Sequence, residues 1–149
     1  MAAYLTTARL ALVTALQADV TLDAGVRTWR AFGPGLRQRL AIEHSHCPML
    51  AVYPQSVDVA GNYNVAEGIT QDLTVLIVTS GQDAAPAEAL AAAALDVIET
   101  ARGTCLSLTA LGLTNLTIGS VSWGAEPDED GSHIMWTVRI AVRLHYIRR

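Results

Sequence analysis

The C-terminal segment constrains the fold most strongly, because apolar and polar side chains alternate along it without interruption. The apolar set occupies the even positions Ile134, Trp136, Val138, Ile140, Val142, Leu144 and Tyr146. Alternation with a period of two predicts a β-strand with one buried face. At ~3.4 Å per residue this strand would extend for ~45 Å, so we expect it to project beyond its own sheet.

The preceding segment predicts a hairpin partner for this strand. Ile118 continues an even-numbered apolar set, whereas Val121 and Trp123 occupy odd positions. The intervening Gly119 therefore predicts a β-bulge. Residues 124–132 are rich in turn-forming and acidic side chains, so we expect two long antiparallel strands joined by a mobile acidic loop.

Two segments predict amphipathic helices. Apolar residues recur at helical spacing over residues 4–18, and residues 19–25 are expected to end this first helix. A second helix is predicted over 86–102, because Pro86 suits a first turn and Gly103 can close the last one.

The remaining segments predict further strands. Residues 70–79 carry apolar side chains at both odd and even positions, which indicates a central strand covered on both faces. Residues 49–53 predict a short strand stopped by Pro54, and the turn signal at residues 61 and 62 favours a hairpin. The pattern over 26–46 is too weak to assign.

These elements together predict an α+β fold formed by a single domain over residues 1–149. We expect a mainly antiparallel sheet with two principal helices on one face and a long C-terminal β-hairpin. No internal repeat or linker divides the chain.

Composition excludes several classes of function. All ten basic residues are arginines, so a P-loop, a Schiff-base lysine and a lysine general base are excluded. The formal charge of -4 argues against a general nucleic-acid binder. Apolar side chains make up 51% of the chain and charged ones 16%, which favours a surface partly hidden in an oligomer.

The sequence carries no recognisable targeting signal or membrane span. Arg9 interrupts the apolar stretch at 2–16, and the richest later window, 84–101, contains three carboxylates. We therefore expect a soluble cytosolic product. Cys47 and Cys105 are expected to remain thiols in that compartment.

One short cluster has the chemistry of a metal ligand set. His44, His46 and Cys47 lie close together in the sequence, and another ligand would have to come from a distant segment. The candidates for it are His133, His145 and Cys105. No CxxC or HExxH motif accompanies the cluster, and Cys47 lacks the signature of a nucleophile. We predict no metal site, no catalytic residue and no cofactor.

Several residues are candidates for a subunit interface. Arg139 and Arg143 lie two pleats apart on one strand face, together with His145, where they either pair with carboxylates of a neighbouring subunit or face solvent. Trp29, next to Arg30, is either a core residue or an interface anchor.

The order of elements resembles that of the tail terminator, or tail-completion, proteins of long-tailed bacteriophages. The resemblance rests on a helix at 4–18, an extended strand at 72–78, a helix at 86–102 and a closing strand at 135–146. It covers most of the chain.

This resemblance implies a non-enzymatic subunit that forms a hexameric ring, caps the growing tail tube, ends its polymerisation and joins tail to head. The implied partners are further copies of the chain, a tail tube protein and a head-tail connector protein. DNA would pass through the ring without specific binding, and no membrane is involved. The implied location is the tail or neck of the virion, after assembly in the host bacterial cytoplasm. The alternatives are another connector, neck or tube subunit, and a small metal-dependent enzyme.

The acidic segment of the hairpin has two open interpretations. Its carboxylates are Glu126, Asp128, Glu129 and Asp130. An EF-hand loop is excluded, because its twelfth position falls on Thr137 and strands flank the segment. The segment is either a solvated hairpin tip or a loop that faces the lumen or a partner and repels passing DNA.

Overall fold

The computed structural model of the chain describes residues 2–31, 44–59, 67–127 and 133–148. Three helices are present in these residues, namely α1 (Ala2–Gln17), α2 (Val20–Gly25) and α3 (Ala85–Thr104). The strands are β1 (Thr28–Ala31), β2 (Met49–Val59), β3 (Glu67–Gly81), β4 (Leu113–Pro127) and β5 (Ile134–Arg148). Short 3-10 turns occupy His44–His46, Cys105–Ser107 and Thr109–Leu111.

The five strands form one sheet in the order β1-β2-β3-β5-β4. Only β1 and β2 pair in parallel, and every other neighbouring pair is antiparallel. The predicted α+β class, the central position of β3 and the C-terminal hairpin of β4 and β5 are therefore confirmed. The pairing of β2 with β3 also fits the expected hairpin, although residues 61 and 62 lie outside the described residues.

The expectation that the last strand projects beyond its sheet is wrong. Strand β5 pairs with β3 from Ile134 to Arg148, and with β4 from Ile134 to Tyr146. All three strands are 15 residues long, so the two neighbours satisfy the backbone of β5 along its length.

All three described helices pack on the same face of the sheet, which we call the helix face. The main core lies between the helices and this face of the sheet. Leu12 and Leu16 of α1 and Ile98 of α3 are completely buried in it. Strand β5 contributes the buried side chains Val138, Ile140, Val142, Leu144 and Tyr146, with Ile134 and Trp136 half-buried at its start. The predicted parity of this strand is confirmed.

The opposite face, which we call the open face, has no described helix on it. Val78 of β3 is buried there in a small cluster with Cys47, Met49 and Ala51. Further along β3, the side chain of Asp72 is 24% exposed. On this face Thr74 and Val78 are buried whereas Asp72 and Leu76 are half-buried, so the central strand is less completely covered than expected for residues 70–79.

The first helical region differs from its prediction in two ways. Residues 19–25 do not simply end the first helix, because the Asp19 carboxylate accepts a hydrogen bond from the backbone N–H of Leu22 and starts the short helix α2. Arg9 does not belong to the apolar stripe of α1, yet it is only 8% exposed. Tertiary packing therefore buries more of the circumference of α1 than its apolar stripe predicts.

Pro54 does not stop β2, in contrast to the expectation. Strand β1 pairs with β2 only as far as Val52, so Pro54 lies where that side of β2 has no strand neighbour in the described chain. A proline without an N–H is tolerated at such an edge. The register with β3 shifts between Pro54 and Ser56, which indicates a bulge at Gln55. The bulge predicted at Gly119 is confirmed by the shift between Ile118 and Ser120.

The end of α3 also differs from its prediction. Gly103 lies inside the helix, and Cys105 caps it in a left-handed conformation. Cys105, Leu106 and Ser107 all have positive φ, at 48°, 53° and 57°. Left-handed backbone costs a residue with a Cβ ~1–2 kcal/mol, so this turn stores strain.

Replacing Ser107 with glycine should raise the free energy of unfolding by ~0.5–1 kcal/mol, since relief of the left-handed strain outweighs the added entropy of the unfolded chain. Ser107 is exposed, so the change removes no packing. Urea denaturation measures the effect. The control Ser122→Gly, at an exposed position of β4, should instead lower stability by ~0.5–1 kcal/mol. Equal losses in both variants would contradict the strained turn.

The remaining expectations concern cysteines and membranes. Cys47 and Cys105 are both free cysteines in the structure. None of the helices in the described part of the chain has the length and apolarity that a membrane crossing requires.

Candidate functional site

The open face of the sheet collects four of the five residues predicted for a subunit interface. Residues that are directly paired across neighbouring strands point to the same face. Arg139 is paired with Leu76, Leu76 with Ala51, and Ala51 with Arg30. Arg143 and His145 follow Arg139 on β5 after four and six residues, so they lie on this face too.

The cationic side chains are spread over this face. Arg30 and Arg139 occupy one row but are separated by three strand spacings, or ~14 Å. Arg139 and Arg143 are four residues apart on β5, which also corresponds to ~14 Å. Arg139 is exposed and makes no ion pair with the described residues, so its guanidinium is available to a partner.

Arg143 is engaged within its own chain. Its Nε donates to Oδ1 of Asp72 at 2.8 Å, and a second guanidinium nitrogen donates to Oδ2 at 3.3 Å. The two residues are direct cross-strand partners on β5 and β3. The Arg143 side chain is 52% exposed, so the pair is a partly solvated ion pair with modest stabilising effect.

A double-mutant cycle with Asp72→Ala and Arg143→Ala should give a coupling free energy of ~0.5–1 kcal/mol, which falls toward zero at high salt because ions screen the exposed charges. Thermal or urea unfolding of the four proteins measures it. The matched cycle with Asp72→Ala and Arg139→Ala should be additive within ~0.5 kcal/mol, since these residues do not touch. Equal coupling free energies in the two cycles would show that Asp72 responds to positive charge on the sheet in general and not to Arg143 in particular.

A shallow depression of about 400 Å³ surrounds this ion pair on the open face. Its lining is largely polar or small and comprises Gln55, Asp72, Leu73, Thr74, Thr117, Gly119, Ser120, Ala141, Val142 and Arg143. Thr74 donates its hydroxyl hydrogen to the side-chain oxygen of Gln55 at 3.3 Å. His145 lies one pleat beyond Arg143, where its Nδ1 is 3.4 Å from the hydroxyl of Thr70. These contacts form a polar surface around the ion pair.

Trp29 is separated from the other interface candidates. It lies on the helix face, where it is half-buried and packs against the main core. The choice between core and interface is thus resolved only partly, because the indole touches the core but keeps an accessible part. Its position on β1 places it at one edge of the sheet.

The acidic segment continues directly from β4. Glu126 is exposed near the end of that strand. Asp128, Glu129 and Asp130 lie outside the described residues, so their placement stays a prediction.

The cluster of His44, His46 and Cys47 resembles a packed part of the fold more than a reactive site. Cys47 is buried, and burial raises the pKa of its thiol, which disfavours the thiolate that a nucleophile or metal ligand requires. His46 is half-buried nearby, while the side chain of His44 lies outside the described residues. Among the side chains that the structure describes, no three of the types His, Cys, Asp and Glu come together as a ligand set.

Two surface features were not identified as functional candidates from the sequence. A groove of about 650 Å³ runs between α1 and α3 and is lined mainly by small side chains such as Ala15 and Ala101. Trp123 of β4 is 57% exposed, although its parity places it on the helix face. The sequence around Trp123 did indicate its exposure. A tryptophan next to a glycine and an acidic loop has few side chains of its own chain to pack against.

Comparison with known proteins gives a likeness in fold to solved structures. No protein-family model matches the chain. No curated protein matches it. Thirty-two chains of solved structures do match. One of them belongs to the virion of a native gene transfer agent particle, with a TM-score of 0.52 and 23% identity. The match covers 92% of this chain and 93% of the other, so the two share a fold over nearly their whole length.

Proposed function

We propose that this chain is a structural subunit of a phage-like virion, in which it forms a ring on the end of the tail tube. In this role it ends tube polymerisation and offers a surface for joining tail to head. The observation that carries the proposal is the whole-chain fold likeness to a chain of a gene transfer agent virion. The element order of the sequence had independently suggested the same class of protein.

The surface properties of the chain support an assembly role. An exposed arginine, a polar depression and a partly exposed tryptophan are distributed over a broad sheet, instead of converging in one deep cleft. A ring needs two different surfaces on each subunit, since a heterologous contact that closes produces a ring. A five-stranded sheet with two edges provides such surfaces.

The proposed partners follow from this role. They are further copies of the chain in a ring of six, a tail tube protein on one side and a head-tail connector protein on the other. DNA crosses the ring, and the acidic segment that begins at Glu126 keeps the phosphate backbone from adhering. No catalytic step, metal or cofactor is part of the proposal.

Two measurements test the function. Light scattering of the purified protein should give a mass about six times 15.8 kDa, and negative-stain images should show rings. In particles produced without this gene, tail tubes should lose their uniform length, and complementation with the wild-type gene should restore it. A protein that is monomeric both in solution and on the particle contradicts the ring.

The position of the protein on the particle distinguishes the proposed tail-capping role from the roles of a tube subunit and a connector. Labelled antibody should bind a single position at the head-proximal end of the tail. Label along the whole tube would identify a tube subunit, and label retained on tailless heads would identify a connector. Either result overturns the tail-capping role.

A further inference from the structure

We infer that neighbouring copies associate edge to edge, with β1 of one copy adding to the outer edge of β4 of the next, and with Trp29 meeting Trp123. This inference rests on the proposed function, because it specifies the contact by which the ring would close. Its basis is the register of the five strands and the charges at the two edges of the sheet.

The two tryptophans lie at the same height on opposite edges of the sheet. Direct pairing across the strands connects them in a single row, which runs in the order Trp29, Leu50, Ile77, Val138 and Trp123. The three residues between them belong to the main core, so both indoles lie on the helix face. A second copy displaced sideways, without a shift along the strands, therefore brings its Trp29 opposite Trp123.

Strand direction favours this contact. Strands β1 and β2 are parallel, and each of the three following pairs in the sheet is antiparallel. Strands β1 and β4 thus run in opposite directions. A rotation axis roughly along the strands preserves these directions, so β1 of one copy meets β4 of the next as an antiparallel pair, in which both hydrogen-bonding edges are satisfied.

The edge of β4 is open where this contact requires it. In the described residues, no strand pairs with the outer edge of β4 or of β1. Register shifts interrupt β4 at residues 114 and 119, which leaves 120–127 as a regular stretch around Trp123. A regular exposed edge with a large apolar side chain is a site for addition of another strand.

The two edges carry opposite charge. Arg27 and Arg30 flank Trp29, and Arg27 is exposed. Strand β4 contains no cation, and its one charged residue is Glu126, which the sequence follows with three more carboxylates. With Trp29 opposite Trp123 in an antiparallel pair, Arg27 faces Ala125 next to Glu126, so pairing β1 with β4 brings opposite charges together. Charge complementarity therefore supports the contact between β1 and β4.

Disulfide trapping tests the register directly. In a background with Cys47→Ala and Cys105→Asn, the variants Trp29→Cys and Trp123→Cys are made separately and then mixed under mild oxidation. Directly opposed residues of an antiparallel pair have Cα atoms ~4.5–5.5 Å apart, which a disulfide can bridge. We expect a crosslinked dimer only in the mixture, and a covalent ring or ladder from a chain that carries both substitutions.

The possible outcomes distinguish this inference from the proposed function. Dimers formed by Trp123→Cys alone, or rings of the cysteine variants in whose mixture no crosslink appears, overturn the edge contact and leave the function standing. Crosslinking of a protein that labels only the heads overturns the tail-capping function and leaves the contact standing. If every protein in the series stays monomeric both in solution and on the particle, that result contradicts both the contact and the function.

An alanine variant gives a second readout. Because Trp123 is exposed in the single chain, Trp123→Ala should leave the melting temperature nearly unchanged but weaken the association constant by at least ~10-fold, as expected for an aromatic residue central to an interface. The matched control is Val20→Ala, which removes another large exposed apolar side chain, 82% accessible, from helix α2 and not from a strand. Equal weakening by both substitutions would show that Trp123 has no specific role.

Discussion

Replacing Leu73 with alanine should lower the free energy of unfolding by ~3 kcal/mol, within the ~2–5 kcal/mol range for buried leucines. Leu73 lies on the central strand β3, is completely buried and belongs to the main core under the helices. The loss combines the transfer free energy of the removed carbon atoms with the cost of the cavity that remains. Urea denaturation followed by circular dichroism measures the effect.

The matched control is Leu76→Ala, which makes the same change on the same strand but on the open face. Leu76 is only half-buried there, next to the small cluster around Val78. We expect a loss of ~1 kcal/mol, since much of this side chain is already in contact with water. Equal losses at the two positions would contradict the assignment of the helices to one face.

Replacing Gly112 with alanine should destabilise the protein by ~3 kcal/mol or more, because strain of the left-handed backbone adds to a steric overlap that only a backbone shift can relieve. Gly112 has a φ of 88°, and an added Cβ would overlap the backbone carbonyl oxygen of Ile147. The backbone N–H of Ile147 donates to the carbonyl oxygen of Gly112 at 2.8 Å. The substitution therefore separates the start of β4 from the end of β5.

The control for this prediction is Gly103→Ala. Gly103 lies within α3, and an added Cβ would meet no atom within 4 Å. Alanine should there raise stability by ~0.5–1 kcal/mol through its better helix propensity. Thermal unfolding of the two variants should shift in opposite directions. A Gly112→Ala protein as stable as the wild type would show that the backbone turn after α3 differs from the one described.

The sequence predicted the parts of the fold that depend on short-range periodicity. The alternation along β5 identified its buried face, and the change of parity around Gly119 identified a bulge. The start of α3 at Pro86 was also anticipated, because proline is compatible with a first helical turn. Each of these predictions uses only residues that are neighbours in the chain.

The predictions that failed concern residues whose surroundings are formed by elements distant in the sequence. Pro54 lies within β2 because the described pairing of β1 with β2 ends at Val52, and Arg9 is buried because other elements cover its side of α1. The length of β5 suggested a projecting strand, yet β3 and β4 are equally long. Local pattern carries no information about the length or order of neighbouring strands.

The properties of the candidate surface can also be divided into those that the sequence determines and those that the tertiary structure decides. The sequence by itself determined that Arg139, Arg143 and His145 share one face of a strand, because side chains in a strand alternate with a period of two. Only the tertiary structure placed Asp72 against Arg143 and put Trp29 and Trp123 in one row at opposite edges of the sheet. Strand order and register decide such pairings, and they arise when the whole core is buried at once, from residues far apart in the chain.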